Sequence, residues 1–161
     1  MGMRQASMPP LRLVMVVFAI AALAACTPRS VDGQTQVVDG LRLDYGLVAL
    51  KTSEPPSSHP DSKMHGGPPT QPNGYHVVLS VTEAATGRRV TDAEVSMGIS
   101  GPGHPGSTAV VRMEPMTVAG EQTWARYVVL PKNGTYRLRF HVRRPGQHWP
   151  LKANFRLQRA S

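Results

Sequence analysis

The chain has 161 residues, a formal net charge of +8 and a single cysteine. This length suits one domain, or a small domain with tails. One cysteine excludes an intramolecular disulfide framework and a thiolate-based structural zinc site. The 15 glycines and 15 prolines are typical of short strands joined by turns, and no apolar run reaches the roughly 18 residues that a membrane-spanning helix needs.

The N-terminus has the pattern of an export signal. Arg4 and Arg12 precede the apolar stretch 13–25, which is too short to span a bilayer and predicts a signal peptide over 1–25. The stretch ends in Leu23-Ala24-Ala25-Cys26, which resembles a bacterial lipobox. That resemblance implies cleavage before Cys26, diacylglycerol on its sulfur and stable anchoring by several acyl chains. Thr27 follows instead of an acid, which by resemblance to enterobacterial sorting favours the outer membrane. The alternative is an ordinary signal peptide with a cysteine at its cleavage site by chance.

The remainder divides by composition. Residues 26–36 are polar and predict a flexible tether. Alternating apolar residues predict an N-terminal strand over 37–51. Residues 52–74 contain six prolines, three glycines and almost nothing apolar, so we expect a long exposed loop. Residues 75–159 predict the main β domain.

Period-2 alternation recurs through this domain, most clearly from Tyr136 to Val142, where apolar residues alternate with arginine and histidine. Lys132-Asn133-Gly134 predicts a hairpin turn, and Pro115 is expected to end a strand. No window has an apolar repeat at helical spacing. We therefore predict an all-β, antiparallel immunoglobulin-like β-sandwich of about seven strands, with a small barrel as the alternative.

No enzyme constellation is evident. The serines at 80 and 96 lie within predicted strands and lack the context of a nucleophile elbow. The ten acidic residues are scattered, and no glycine loop opens a helix. We expect a protein that is not an enzyme.

Histidine and methionine cluster in the loop. His59, Met64 and His65 lie within it, and His76 follows at the start of a strand. Thioether and imidazole ligands without a thiolate suit copper, particularly Cu(I), better than zinc. Met116, beside Pro115, is a further candidate, whereas Met97 and Met113 continue inward alternations and predict core. The alternative is a polar spacer that binds nothing.

The C-terminal part is strongly basic, with nine Lys or Arg and no acid from residue 126 onward. Arg137, Arg139, Arg143 and Arg144 are expected on one sheet face or its edge, with Lys152 and Arg156 on the neighbouring strand. This pattern predicts either a solvated face or a surface that binds anionic lipid or lipopolysaccharide phosphate. Nucleic acid is not expected as a partner of an exported protein.

The β region also resembles a known family. Tyr75-His76-Val-Val-Leu-Ser-Val, Thr86-Gly87-Arg88, Glu114-Pro115-Met116 and Arg143-Arg144-Pro145-Gly146 are similar to segments of exported YtkA-like and FixH-like Ig-like domains. The resemblance covers about half of the chain. It implies a role in copper handling, with Met64, His65, His76 and Met116 as candidate ligands and His59 as a further one.

Two hypotheses follow. In the first, a lipid-anchored periplasmic β-sandwich binds Cu(I) for buffering, or for exchange with a copper donor or acceptor protein. In the second, a non-catalytic envelope module uses its arginine-rich face to bind anionic lipid or a protein partner.

Overall fold

The computed structural model of the chain describes residues 31–50, 67–104 and 109–160. These residues form ten strands and no helix. The strands are β1 (Val31–Asp32), β2 (Thr35–Val38), β3 (Leu41–Ala49), β4 (Gly74–Glu83), β5 (Glu94–Ser100), β6 (Val110–Arg112), β7 (Glu114–Val118), β8 (Glu121–Val129), β9 (Gly134–Arg143) and β10 (Leu151–Arg159).

The strands form two five-stranded sheets. Sheet A has the order β1-β10-β9-β5-β6 and sheet B the order β2-β3-β4-β8-β7. Every pairing is antiparallel except that of β1 with β10. The order within each sheet is that of an immunoglobulin-like sandwich. The predicted all-β antiparallel class is therefore confirmed, with ten strands in the described residues where about seven were expected.

The core lies between the two sheets and follows the period-2 pattern. Sheet B contributes residues such as Leu43 and Leu79, and sheet A contributes Phe140 and Phe155, all of them fully buried. The ring of Tyr45 reaches across and meets that of Phe155 edge to face, with centroids 5.0 Å apart. The predicted core positions of Met97 and Met113 are confirmed, since each is 1% exposed.

The predicted tether over 26–36 is wrong for its C-terminal part, because both β1 and β2 begin inside it. Asp39 and Gly40, both with positive φ, form the two-residue turn that returns β2 onto β3. Val37 and Val38 of β2 fell within the predicted strand 37–51, and only the polar Thr35 and Gln36 indicated coil. These two polar residues are compatible with an edge strand, where half of the side chains face solvent.

One predicted strand end and one predicted hairpin turn also differ from the structure. Pro115 does not end a strand: it lies within β7, an edge strand in which its missing N–H costs no ladder bond. Lys132-Asn133-Gly134 does not close a hairpin, because β8 belongs to sheet B and β9 to sheet A. The chain crosses between sheets there, and the buried hydroxyl of Tyr136 donates toward the carbonyl of Lys132 at 2.7 Å. This is the tyrosine corner of immunoglobulin-like folds.

Candidate functional site

His76 is a buried imidazole on the outer face of sheet B. Its neighbour Val77 points into the core, so the period-2 geometry turns His76 to the opposite face. The side chain is nevertheless only 5% exposed. Its ring lies over that of Tyr127, the register partner on β8, with centroids 4.6 Å apart. A histidine on the outside of a sheet is ordinarily solvated, so this burial marks an unusual position.

Most register neighbours of His76 are uncharged. Its register partner on β3 is Val48, and the next row across the sheet contains Gly46, Val78 and Ala125. One acidic residue of the same row, Glu114 on β7, is the register partner of Ala125, and farther along the strands Arg42 pairs with Asp44 at 2.9 Å. Burial tends to raise the pKa of Asp44, but hydrogen bonds from Arg42 and Thr35 lower it overall. The end of the face near His76 thus has few charged groups, with the carboxylate of Glu114 on the edge strand.

The long connection between β3 and β4 starts and ends beside His76. The N–H of Leu50, just after β3, donates to the carbonyl of Gly74, the first residue of β4, at 2.9 Å. Pro69 packs against Gly74 so closely that a Cβ there would lie 2.8 Å from the proline ring. His76 is two residues farther along. The returning connection is therefore fixed at the end of the sheet where the buried imidazole lies.

The predicted ligands fall into two groups. His59, Met64 and His65 lie outside the described residues, as does Cys26. His76 and Met116 are described, and both are on the outer face of sheet B. In the described part of the chain, no group of three or more His, Cys, Asp or Glu side chains could hold a metal ion.

The sheet register separates Met116 from His76. Met116 is the partner of Thr123, which is four residues along β8 from Tyr127, the partner of His76. Four residues span about 13 Å and two strand spacings about 10 Å, so the two Cα atoms are about 16 Å apart. Because both side chains stand roughly perpendicular to the sheet, one ion cannot bind both. The register thus argues against Met116 as a ligand shared with His76.

The basic residues form a different surface, the outer face of sheet A. We call it the basic face and define it by its charged residues and one histidine: Arg112 on β6; Arg137, Arg139, His141 and Arg143 on β9; and Lys152 and Arg156 on β10. Arg137 is directly opposite Arg156 in the register, a like-charged cross-strand pair of the kind that destabilises a sheet. The sequence prediction for Arg137, Arg139 and Arg143 agrees with this placement.

Acidic residues offset part of this charge. Arg143 pairs with Glu94, and its hydrogen bond and charge lower the pKa of that carboxyl. Asp32 on β1 lies at the register position of Arg156. Arg144 lies beyond the end of β9, where its guanidinium is 3.6 Å from Glu83. Arg144 therefore belongs to an ion-pair cluster at the sheet end and not to the basic face.

A groove crosses one end of the basic face. It has a volume of about 340 Å³ and is lined by residues that include Glu94, Ser96, Arg112, His141 and Arg143. Burial lowers the pKa of His141, and the neighbouring charges of Lys152 and Arg139 add to this effect. The imidazole is thus kept neutral at neutral pH, while the positive potential around the groove comes from the arginines and the lysine.

Sequence reasoning missed two residues of this region. Arg112 joins the basic face because β6 pairs with β5 and places it beside Ser96. Trp149, in the loop between β9 and β10, is 86% exposed, which is uncommon for tryptophan. The only sequence signal for Trp149 was its position in a short polar segment, next to His148 and Pro150.

The described fold and sites thus define an immunoglobulin-like β-sandwich with a buried outer histidine and a basic face. No protein-family model matches the chain, and no curated protein matches it at the level of sequence. The resemblance to YtkA-like and FixH-like domains therefore stays a prediction. None of the described residues forms a helix of the length and hydropathy needed to cross a bilayer.

The fold is similar to that of several solved structures. FetP of uropathogenic Escherichia coli aligns with a TM-score of 0.60 at 12% identity over 80% of this chain and 94% of that chain. Copper-reconstituted P19 of Campylobacter jejuni aligns with a TM-score of 0.58 at 12% identity, over 79% and 93%. A DUF4426 family protein of Pseudomonas aeruginosa aligns with a TM-score of 0.55 at 15% identity, over 78% and 93%. This likeness establishes the fold of the chain.

Proposed function

We propose that this protein is a lipid-anchored periplasmic copper-binding protein without catalytic activity. It would bind Cu(I) through His76 and the connection between β3 and β4, which contributes Met64 and His65, with His59 as a further ligand. The observation that carries the proposal is the imidazole of His76, buried on an outer sheet face at the end where that connection returns.

Covalent geometry supports this ligand set. Pro69 is fixed against Gly74, and His65 is four residues before Pro69, so its Cα lies within about 14 Å of that proline. His76 is two residues beyond Gly74, about 7 Å along the strand. The connection is therefore long enough to place an imidazole and a thioether over His76. Two imidazoles and a thioether form a ligand set that suits Cu(I).

The structural neighbours add a second line of support. The solved structures of similar fold include copper-bound forms of FetP and P19. Their fold therefore accommodates copper, and the arrangement around His76 provides a place for it in this chain. Ligands on a connection between strands would allow the metal to be passed to an acceptor protein without full release. Cys26, as the acylated residue, would hold the protein at the outer membrane.

The test is a Cu(I) competition titration of the mature chain from residue 26, with Cys26→Ser to remove lipid and thiol together. All ten described strands lie within this chain. We expect one ion bound more tightly than about micromolar. The variant Met64→Ala with His65→Ala should lose this binding and keep its unfolding midpoint.

Met116→Ala and the exposed His148→Ala are the matched controls, since each removes the same ligand type far from His76. Both should retain the affinity of the parent chain. Equal loss in the control variants, or unchanged binding in the double variant, would refute the site and leave the connection as a spacer.

A further inference from the structure

The basic face carries more positive charge than its acids can offset. Among the residues whose side chains are described, it has six cationic side chains, against the carboxylate of Glu94 on β5. These residues cover an area of about 14 Å across the strands and about 20 Å along them. Arg112, Arg137 and Lys152 are exposed. Such a density of charge on one flat face is complementary to a surface of repeated anionic groups.

The chain enters the fold at the edge of this same sheet. β1 begins at Val31, and its register partner is Phe155, in the middle of β10. Only five peptide units separate Val31 from Cys26, and fully extended they span at most about 17 Å. If Cys26 carries the lipid proposed above, the edge of sheet A beside β10 must stay within this distance of the bilayer surface.

Trp149 supplies an independent indication of the same orientation. It is 86% exposed and lies in the loop that precedes β10, at the end of sheet A where Lys152 is found, beside Asp39 and Leu41 at the end of sheet B. Tryptophan is enriched at the interface between membrane and water, because its ring is apolar and its N–H finds a polar partner there. An acidic protein partner would also explain the charge and the exposed indole, whereas the short tether brings this sheet edge within reach of the membrane only.

We infer that the basic face docks the protein against a membrane surface of anionic phosphate headgroups, with Trp149 inserted at the interface. This inference rests on the lipid anchor of the proposed function. In this orientation the outer face of sheet B, with His76, points away from the bilayer and toward soluble partners. The groove beside Arg112 and Ser96 would receive a headgroup phosphate, which these donors can bind while Arg143 pairs with the carboxylate of Glu94 that also lines the groove.

The test uses the mature chain with Cys26→Ser, so that acylation makes no contribution. Its binding to phosphatidylethanolamine vesicles is measured with and without phosphatidylglycerol, at low and high salt. One basic residue near an anionic surface strengthens binding about fivefold. Arg137→Glu with Lys152→Glu should therefore weaken binding at least about 25-fold. Arg88→Glu with Lys132→Glu, exposed residues off this face, makes the same change in net charge and should retain most of the binding.

Tryptophan fluorescence tests the orientation. The chain has two tryptophans, and Trp124 is buried at 2% exposure, so a change on vesicle binding reports Trp149. We expect a blue shift on phosphatidylglycerol vesicles that is lost in Trp149→Phe. No binding at low salt, or equal loss in both charge-reversal variants, would overturn the proposal.

The outcomes separate this inference from the proposed function. The variant Arg137→Glu with Lys152→Glu should keep the Cu(I) affinity of the parent chain. If the parent chain did not bind copper, the vesicle-binding result would still stand. Absence of lipid on Cys26 in the cell-made protein would remove the tether argument. In that case the docking proposal would depend on vesicle binding accompanied by the fluorescence shift of Trp149. If the chain did not bind vesicles with this shift, the docking proposal would be refuted.

Discussion

The hydroxyl of Tyr136 offers a sharp test of the fold. The side chain is fully buried, and its oxygen lies 2.7 Å from the carbonyl oxygens of both Lys132 and Pro102. The same oxygen accepts the N–H of Lys132 at 3.2 Å. A hydroxyl has one hydrogen, so it donates to one carbonyl at a time and accepts one bond. Tyr136→Phe keeps the ring and removes these interactions.

The expected cost is about 2 kcal/mol, since each net hydrogen bond contributes about 1 kcal/mol and a part-buried carbonyl loses its donor. For a domain of this size that corresponds to a fall in melting temperature of about 8 °C. Urea unfolding should give a lower midpoint with an unchanged slope, because the buried area is the same.

Tyr75→Phe is the matched control. Its hydroxyl accepts one hydrogen bond from Arg159 at 3.1 Å, and that guanidinium also donates to Asn73 at 2.6 Å, so the loss should be below about 1 kcal/mol. If Tyr136→Phe cost no more than Tyr75→Phe, the corner would not anchor the crossing between the sheets, and the reasoning would be wrong.

Three further predictions address the sheets and their charges. Gly101→Ala should destabilise the fold by about 2–4 kcal/mol in chemical denaturation, because the residue has a φ of +152° and a Cβ would lie 2.6 Å from the ring of Tyr136. Gly87→Ala, in an open turn, is its control and should cost less. Burial lowers the folded-state pKa of His141 below 6.5, so the unfolded chain binds the proton more readily than the folded chain. The melting temperature should therefore fall as the pH drops through about 6.5. The variant His141→Gln should show a smaller fall. Arg143 lowers the pKa of Glu94 below 4.5, so the stability that this pair contributes is present above that pH and is lost on acidification. Arg143→Gln should therefore reduce the melting temperature at pH 7 but not at the acid end of the titration.

Much of the sandwich could be predicted from local patterns. The alternation in β9 and β10 identified the buried residues because side chains of a strand point alternately to its two faces, whatever the strand pairs with. The same rule placed Met97 and Met113 in the core and turned Arg137 and Arg139 to the opposite face. Loop 52–74 was recognisable by composition, and its described end, from residue 67 to Asn73, contains no strand.

The errors share one physical cause. β1 and β2 are short and mix valine with polar residues, and they become strands because β10 and β3 provide partners at the sheet edges. Asn133-Gly134 permits a tight turn, but nothing in those two residues states whether the flanking strands pair or enter different sheets. Pro115 is tolerated because β7 is an edge strand, a property of the sheet order and not of the residue.

For the candidate sites, the sequence determined which chemistry is present: imidazoles and thioethers around one loop, and an acid-free basic C-terminal part. Only the tertiary structure decided how these groups are distributed. The register separates Met116 from His76 and buries His76 on an outer face, and the pairing of β6 adds Arg112 to the basic face. Alternation is a local property of the backbone, whereas register and sheet order arise from contacts between residues distant in the chain.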